Sequence, residues 1–78
     1  MAQDINLNIV HKIIDEIVTK RKELGISHET LGISTGLNRS TISLIESKKR
    51  IPSILNVIRI CKALGLSLGK LMLKYEKM

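Results

Sequence analysis

Aromatic residues are almost absent from this chain of 78 residues, which has no phenylalanine or tryptophan and a single tyrosine, Tyr75. Modules that bind single-stranded nucleic acid or RNA loops stack several bases on aromatic side chains. The composition therefore argues against that class of binding protein. If the partner is a nucleic acid, duplex DNA is the better candidate.

Cysteine and long apolar segments are also scarce. Cys61 is the single cysteine, which excludes an internal disulfide and favours the reducing cytoplasm. No apolar run approaches the roughly 20 residues that a membrane span needs. The N-terminus lacks the basic start and apolar run of a signal peptide, so we expect no export. The length predicts one domain over residues 1–78.

Positive charge is in excess, with a formal net charge of +6 and a sequence pI near 9.8. Two basic clusters occupy residues 20–22 and 48–50. Such a field attracts polyanions. A surplus of lysine also occurs on many solvated surfaces, so charge alone does not identify the partner.

Apolar residues recur at helical spacing along nearly the whole chain, and no alternating strand pattern competes with them. The pattern predicts an all-α fold with helices over residues 8–24, 28–35, 39–47, 54–64 and 68–76. Capping residues support these bounds: Ser27, Asn38, Ser53 and Ser67 at the starts, and Gly25, Gly36 and Gly65 at the ends. On the fourth helix the expected apolar positions are Leu55, Val57, Ile58, Cys61 and Leu64. Residues 1–7 are either a short N-terminal arm or an extra turn of the first helix.

Residues 28–47 have the features that a helix-turn-helix requires. Gly32 supplies the small residue where two backbones approach closely, and Gly36 supplies a turn residue that accepts positive φ. Leu37 is placed to fill the core behind the turn, while Ile42 and Ile45 are placed to face inward from the next helix. Together these positions predict a helix-turn-helix at the second and third helices.

The segments LGISHETLGISTGLNRSTISLIESKKRIP and LNVIRICKALGLSLGKLM resemble the lambda-repressor-like helix-turn-helix family, also called the Cro, phage-repressor or XRE family. The resemblance covers about residues 20–73 and implies a compact five-helix DNA-binding domain. Small stand-alone regulators, such as the controller proteins of restriction–modification operons, are similar in size and layout. Two positions depart from the family pattern: His28 replaces the usual glutamine, and Lys48 replaces a frequent glycine.

In this family the third helix lies in the major groove of DNA and its first residues touch base edges. Arg39 suits that role because it can donate two hydrogen bonds to O6 and N7 of guanine. Alternatively, this segment is only a solvated helix face. The predicted base-reading residues are Asn38, Arg39, Ser40, Thr41, Ser43 and Leu44.

Two further groups are predicted to contact phosphates, one at the start of the second helix and one after the third. Free backbone N–H groups at a helix start suit an anion, and the basic cluster suits the DNA backbone. The alternatives are that His28 is an ordinary exposed residue and that the basic cluster is a solvated loop. The predicted phosphate-contacting residues are Ser27, His28, Ser47, Lys48, Lys49 and Arg50.

The resemblance also implies a structural ion pair between Arg21 and Glu46, which would join the first helix to the third. If both charges are instead exposed, the pair is worth under about 1 kcal/mol.

The fifth helix and the residues before it, over 66–78, carry more apolar residues than one packed face needs. We expect some of them to form a two-fold homodimer interface; the alternative is that they close the core of the monomer. The predicted interface residues are Leu66, Leu68, Leu71, Met72 and Tyr75.

No catalytic, metal-binding or phosphate-cradling motif occurs in the sequence, so we expect no enzyme activity, cofactor, metal or small-molecule ligand. The predicted function is a cytoplasmic, dimeric transcriptional regulator that binds a palindromic operator in double-stranded DNA. A protein-interaction module, such as the antitoxin or partner-binding member of a two-protein system, is the alternative. The sequence leaves open the operator, the regulated gene and the choice between repression and activation. It equally leaves open whether the chain serves a phage, a restriction–modification or a toxin–antitoxin operon.

Overall fold

A computed structural model describes residues 4–77, which form five α-helices and confirm the predicted all-α fold. The helices are α1 (Ile5–Glu23), α2 (His28–Thr35), α3 (Arg39–Glu46), α4 (Ile54–Leu64) and α5 (Leu68–Glu76). Over this range, no helix combines the length and apolar character that crossing a membrane requires.

Each helix begins after a polar side chain that caps its first turn. The four capping residues predicted for α2 to α5 all accept a hydrogen bond from the backbone N–H three residues later. Helix α1 begins earlier than predicted, because Asp4 caps it by accepting from the N–H groups of Asn6 and Leu7. Residues 5–7 are therefore an extra turn of α1 and not an arm, while residues 1–3 of the predicted arm lie outside the described residues.

Helix ends follow the glycine pattern with small differences. Gly36 and Gly65 cap α2 and α4 with φ of 75° and 73°, in the left-handed region that glycine adopts readily. Helices α1 and α3 each end one residue before the predicted position. In both cases that residue is the C-cap, which contributes a last hydrogen bond without extending the helix.

The hydrophobic core lies between α1 and the other helices. Helix α1 contacts α3, α4 and α5, while α2 contacts α3 and α4. All five helices contribute buried apolar side chains: Ile13, Ile14, Ile17, Leu31, Ile42, Ile45, Val57, Ile60, Cys61, Leu64 and Leu71. Burial raises the pKa of the Cys61 thiol, so Cys61 packs as a small apolar residue.

The prediction of which α4 residues face the core was partly wrong. Leu55 and Ile58 are 53% and 37% exposed, whereas Ile60, which the prediction omitted, is 1% exposed. The buried stripe of α4 starts at Val57 and continues at the third, fourth and seventh positions after it, which is one face of a helix. Leu55 and Ile58 lie outside that stripe and leave apolar surface open to solvent.

Candidate nucleic-acid interface

Two glycines allow α2 and α3 to meet across a tight turn. A Cβ atom on Gly32 would lie 2.5 Å from the carbonyl oxygen of Leu37, so a larger residue would force a backbone shift. Gly36 supplies the positive φ that reverses the chain. Ile42 and Ile45 are each 1% exposed and anchor the inner face of α3 in the core. Helix α3 is thereby fixed by one face and presents the other to solvent.

The outer face of α3 carries the residues that were predicted to read bases. Arg39 is exposed, and its guanidinium has no hydrogen-bond or ion-pair partner among residues 4–77. Leu44 is 40% exposed, so it can offer apolar contact. Thr41 is half-buried, while the remaining predicted residues are exposed: Asn38, Ser40 and Ser43. This face is polar, accessible and attached to a rigid helix.

Glu46 is the centre of a hydrogen-bonded cluster that joins α1, α2 and α3. Its two carboxylate oxygens accept from Nε and Nη2 of Arg21 at 2.7 and 2.8 Å. The third guanidinium nitrogen, Nη1 of Arg21, donates to the carbonyl oxygen of Ile26 at 2.9 Å. The side chains of Arg21 and Glu46 are only 12% and 9% exposed. The pair therefore fixes the C-terminal end of α3 against the end of α1.

His28 also contacts this cluster, through an interaction that the sequence did not indicate. Its Nε2 lies 2.9 Å from Oε1 of Glu46. An ionised carboxylate only accepts hydrogen bonds, so Nε2 must be the donor. His28 was predicted to contact a phosphate, and with Nε2 donating to Glu46 the backbone N–H is the donor that remains for that role, because Nδ1 of a neutral ring only accepts. The two residues are 18 positions apart in sequence, so no local pattern links them.

The cluster changes the ionisation of its charged members. Burial alone would raise the pKa of the Glu46 carboxyl, but hydrogen bonds from Arg21 and His28, together with charge attraction to both, lower it below its usual value. The hydrogen bond to Glu46 raises the pKa of Arg21. Both residues therefore stay charged near neutral pH.

The other residues predicted to contact phosphates differ in how free their side chains are. The Ser27 hydroxyl caps α2, and Oγ of Ser47 donates to the carbonyl oxygen of Leu44. Nζ of Lys48 pairs with Oδ1 of Asp15 at 2.8 Å. The exposed side chains that have no such partner among residues 4–77 are those of Lys49 and Arg50. These two are the most available cations beyond the end of α3.

Lys48 stands where the family often has glycine, and its backbone has the left-handed conformation that glycine adopts readily. Its φ is 65°, and it is the non-glycine residue with positive φ in the described range. A side chain in this region costs roughly 1–2 kcal/mol. The ion pair with Asp15 is partly exposed, with the two side chains 36% and 62% accessible, so it offsets little of that cost.

We expect Lys48→Gly to be more stable than Lys48→Ala by about 1 kcal/mol. Both variants lose the ion pair with Asp15, but only glycine removes the strain of positive φ. Urea denaturation of the two variants measures the difference directly. Equal stability of the two would mean that the turn is not strained.

The residues predicted to form a dimer interface mostly face the monomer core. Leu71 is 7% exposed and belongs to the core, which leaves little of it for a second chain. The other four are half-buried against the core: Leu66, Leu68, Met72 and Tyr75. Lys74 and Lys12 flank the Tyr75 ring, with Nζ atoms 5.2 and 6.0 Å from its centroid. Helix α5 therefore contributes to the core of the monomer, as the alternative interpretation of these residues has it, and a homodimer through their accessible sides stays a prediction.

A more exposed apolar surface lies on α4 and the loop before it. Ile51, Ile54 and Leu55 are 66%, 67% and 53% exposed. Beside them is a groove of about 190 Å³ whose lining joins α1, α4 and α5: Val10, Ile13, Ile14, Pro52, Ile54, Val57, Leu68 and Met72. The sequence pattern did not separate this surface from the core because both consist of the same residue types.

Helix α3 is anchored by its inner face, follows a tight turn and presents an accessible polar outer face, with free cations beyond its end. These features are those of a helix-turn-helix DNA-binding protein. The chain belongs to the helix-turn-helix family, of the lambda-repressor-like kind, whose profile matches residues 17–71. This match includes α2, α3 and α4 and most of the residues discussed above.

Two curated relatives support the same family. YgzD of Bacillus subtilis, described as an uncharacterized HTH-type transcriptional regulator, is 38% identical over 48 residues, which are 62% of this chain and 73% of that protein. An uncharacterized HTH-type transcriptional regulator of Methanothermobacter thermautotrophicus is 42% identical over 45 residues, which are 58% of this chain and 65% of that protein. No solved structure matches the chain significantly.

Proposed function

We propose that this protein is a cytoplasmic transcriptional regulator that binds double-stranded DNA sequence-specifically, as a homodimer on a palindromic operator. The observation that carries the proposal is the accessible outer face of α3, where Arg39 is exposed and has no partner among residues 4–77. The descriptions of the two relatives as transcriptional regulators support the regulatory role. The proposed activity is binding, and no catalytic step is part of it.

The proposed mode of binding places α3 in the major groove. Arg39 and its neighbours then face base edges, while Lys49 and Arg50 approach the phosphates beyond the end of α3. The start of α2 faces another phosphate. Ser27 caps the backbone N–H of Thr30, so the N–H groups of His28 and Glu29 are the ones proposed to bond that phosphate. One α3 reads only a few base pairs, so two copies would read half-sites about 34 Å apart.

Selection of bound sequences from a pool of random duplexes tests this proposal. We expect enrichment of an inverted repeat whose half-site centres are about one helical turn, roughly 10 base pairs, apart. Enrichment of a single unrepeated site would contradict the dimer on a palindrome. Binding without any enrichment would contradict sequence specificity.

We expect Lys49→Ala to weaken binding to all DNA sequences alike and to reduce the slope of log affinity against log salt by about one. The reason is the loss of one phosphate contact and its released counterion. Lys70→Ala is the matched control, because Lys70 is an exposed lysine on α5, which contacts α1 and α4 only. Titrations at several salt concentrations measure both slopes, and identical slopes for the two variants would contradict a phosphate contact by Lys49.

The homodimer interface is proposed to combine the exposed apolar residues of α4 with the accessible edges of α5. Ile54, Leu68 and Met72 line the same groove, so these two elements form one continuous surface. A second copy could bury Ile54 and Leu55, which are the more exposed residues of that surface. Only the solvent-facing sides of Leu68, Met72 and Tyr75 on α5 would belong to this interface, since their inner sides pack against the core.

We expect Ile54→Glu to shift the protein from dimer to monomer in sedimentation at high micromolar concentration, because it puts a charge on the proposed interface. Ile33→Glu is the matched control, since Ile33 is an isoleucine of α2 with 81% exposure, against 67% for Ile54. Wild-type protein that sediments as a monomer at this concentration would contradict the dimer. Equal effects of both variants would contradict the proposed location.

The same apolar groove favours a second candidate function, a module that binds a different protein. In that case α4 and α5 would carry the function, and the outer face of α3 would be only a solvated surface. The random-pool selection distinguishes the two, because a protein-interaction module enriches no DNA sequence.

A further inference from the structure

Asn38 uses its side-chain oxygen within the protein. Its Oδ1 lies 2.9 Å from the backbone nitrogen of Thr41, where it caps the start of α3. Because a backbone N–H can only donate, the atom facing it must be the carbonyl oxygen and not the amide nitrogen. The orientation of the Asn38 amide is thereby fixed.

The Ser40 side chain forms a second hydrogen bond with Oδ1 of Asn38. Its Oγ lies 2.7 Å from Oδ1 of Asn38. Since Oδ1 has no hydrogen, the Ser40 hydroxyl must be the donor. Both acceptor positions of the Asn38 oxygen are then filled, whereas the two N–H groups of its Nδ2 have no hydrogen-bond partner among residues 4–77.

Two of the exposed residues at the start of α3, Asn38 and Arg39, therefore present hydrogen-bond donors only, whereas the Ser40 oxygen can still accept. Asn38 offers the N–H groups of Nδ2, and Arg39 offers its guanidinium, which has no acceptor. The bidentate pairing of an asparagine with adenine needs one donor and one acceptor from the amide. That pairing requires the oxygen that already caps α3.

The bases differ in what they offer to such a surface. Guanine presents two adjacent acceptors in the major groove, N7 and O6. Adenine presents one acceptor beside a donor, thymine presents one acceptor, O4, beside its methyl group, and cytosine presents a donor. We infer that Asn38 acts in DNA readout as a donor only and does not form the bidentate pair with adenine, so that the start of α3 favours guanine, the base with two adjacent acceptors. This inference rests on the proposed DNA binding and specifies the bases that the site recognises.

The test begins with the sites selected from random duplexes. Each guanine of the selected half-site is replaced in turn by 7-deazaguanine, which keeps base pairing but lacks the N7 acceptor. Affinity is measured for the wild type, for Asn38→Ser and for Arg39→Ala. Serine is an equally good N-cap and keeps an oxygen for Thr41, but it lacks the amide N–H groups. A thermal melt confirms that Asn38→Ser keeps the fold.

We expect the wild type to lose about 5-fold or more in affinity at each of two guanines. Asn38→Ser should abolish the effect at one of them, and Arg39→Ala should abolish it at the other. Selected half-sites with adenine at the Asn38 position would overturn the inference, as would wild-type sensitivity at both guanines in folded Asn38→Ser. Failure to enrich any sequence would contradict the proposed function itself and this inference with it.

Discussion

Glu46→Ala is expected to reduce the free energy of unfolding by about 3–5 kcal/mol, because it leaves the guanidinium of a largely buried Arg21 without its ionic partner. A domain of this size loses about 4–8 °C of melting temperature per kcal/mol, so the variant should melt far below the wild type. The carboxylate also accepts from His28, so the same change removes the contact between α2 and α3 at this point. Thermal and urea denaturation measure the loss.

Glu46→Gln is the matched control for the charge of this cluster. It keeps the size of the side chain and one acceptor oxygen but cannot ionise. A loss under about 1 kcal/mol in Glu46→Ala would mean that the pair behaves as an exposed one. Removing both partners in Arg21→Met/Glu46→Leu should recover part of the stability, since no buried charge then remains unpaired.

The lowered pKa of Glu46 makes this stability contribution dependent on pH. Its proton is bound more weakly in the folded protein than in the unfolded chain, where the pKa is about 4.3. The contribution is therefore complete above that value and is lost as the pH falls through the lower pKa of the folded state. Glu46→Gln should show a smaller decline of melting temperature across this acidic range than the wild type.

Arg39→Ala is expected to reduce affinity for the specific site by about 1–3 kcal/mol, which is roughly 5- to 150-fold, and to relax the base preference at one position. The reason is the loss of the bidentate donor that α3 presents. The fold should be unaffected, because Arg39 is exposed and has no partner among the described residues. Mobility shift with the selected site and with single-base variants of it measures both effects.

Arg39→Lys is the control that separates base readout from charge. Lysine keeps the positive charge but lacks the planar fork that pairs with two acceptors. We expect it to retain nonspecific binding and its salt dependence while losing part of the preference for the specific site. Unchanged specific binding in Arg39→Ala would contradict the assignment of α3 as the recognition helix.

Much of the secondary structure could be predicted because its signals are local. A serine or asparagine before a helix bonds an N–H three residues later, and a glycine after a helix adopts positive φ without strain. The start of α1 was left open between an arm and an extra turn although Asp4 is also a capping residue, because the apolar repeat becomes regular only further along the helix. The apolar pattern of α4 was ambiguous because exposed isoleucines and leucines lie beside the buried ones.

The candidate site was predictable in part. The outer face of α3 follows from periodicity, since Ile42 and Ile45 must face inward and Ser43 and Leu44 between them are then exposed. The pair of Arg21 with Glu46 came from the family resemblance and not from any local pattern. The contact of His28 with Glu46 and that of Lys48 with Asp15 had no signal, since each joins residues that are far apart in the sequence.

By itself, the sequence determined the five helices, the turn between α2 and α3, and the exposure of Arg39, because these depend on caps, glycines and spacing within one or two turns. Only the tertiary structure decided which charges are free. The crossing of α1 with α3 brings Asp15 to Lys48 and Arg21 to Glu46, so Lys49 and Arg50 remain as the available cations of the basic cluster after α3. It also decided that the inner side of α5 packs on the core and that Ile54 and Leu55 of α4 are open to solvent, because burial depends on which helix covers a face.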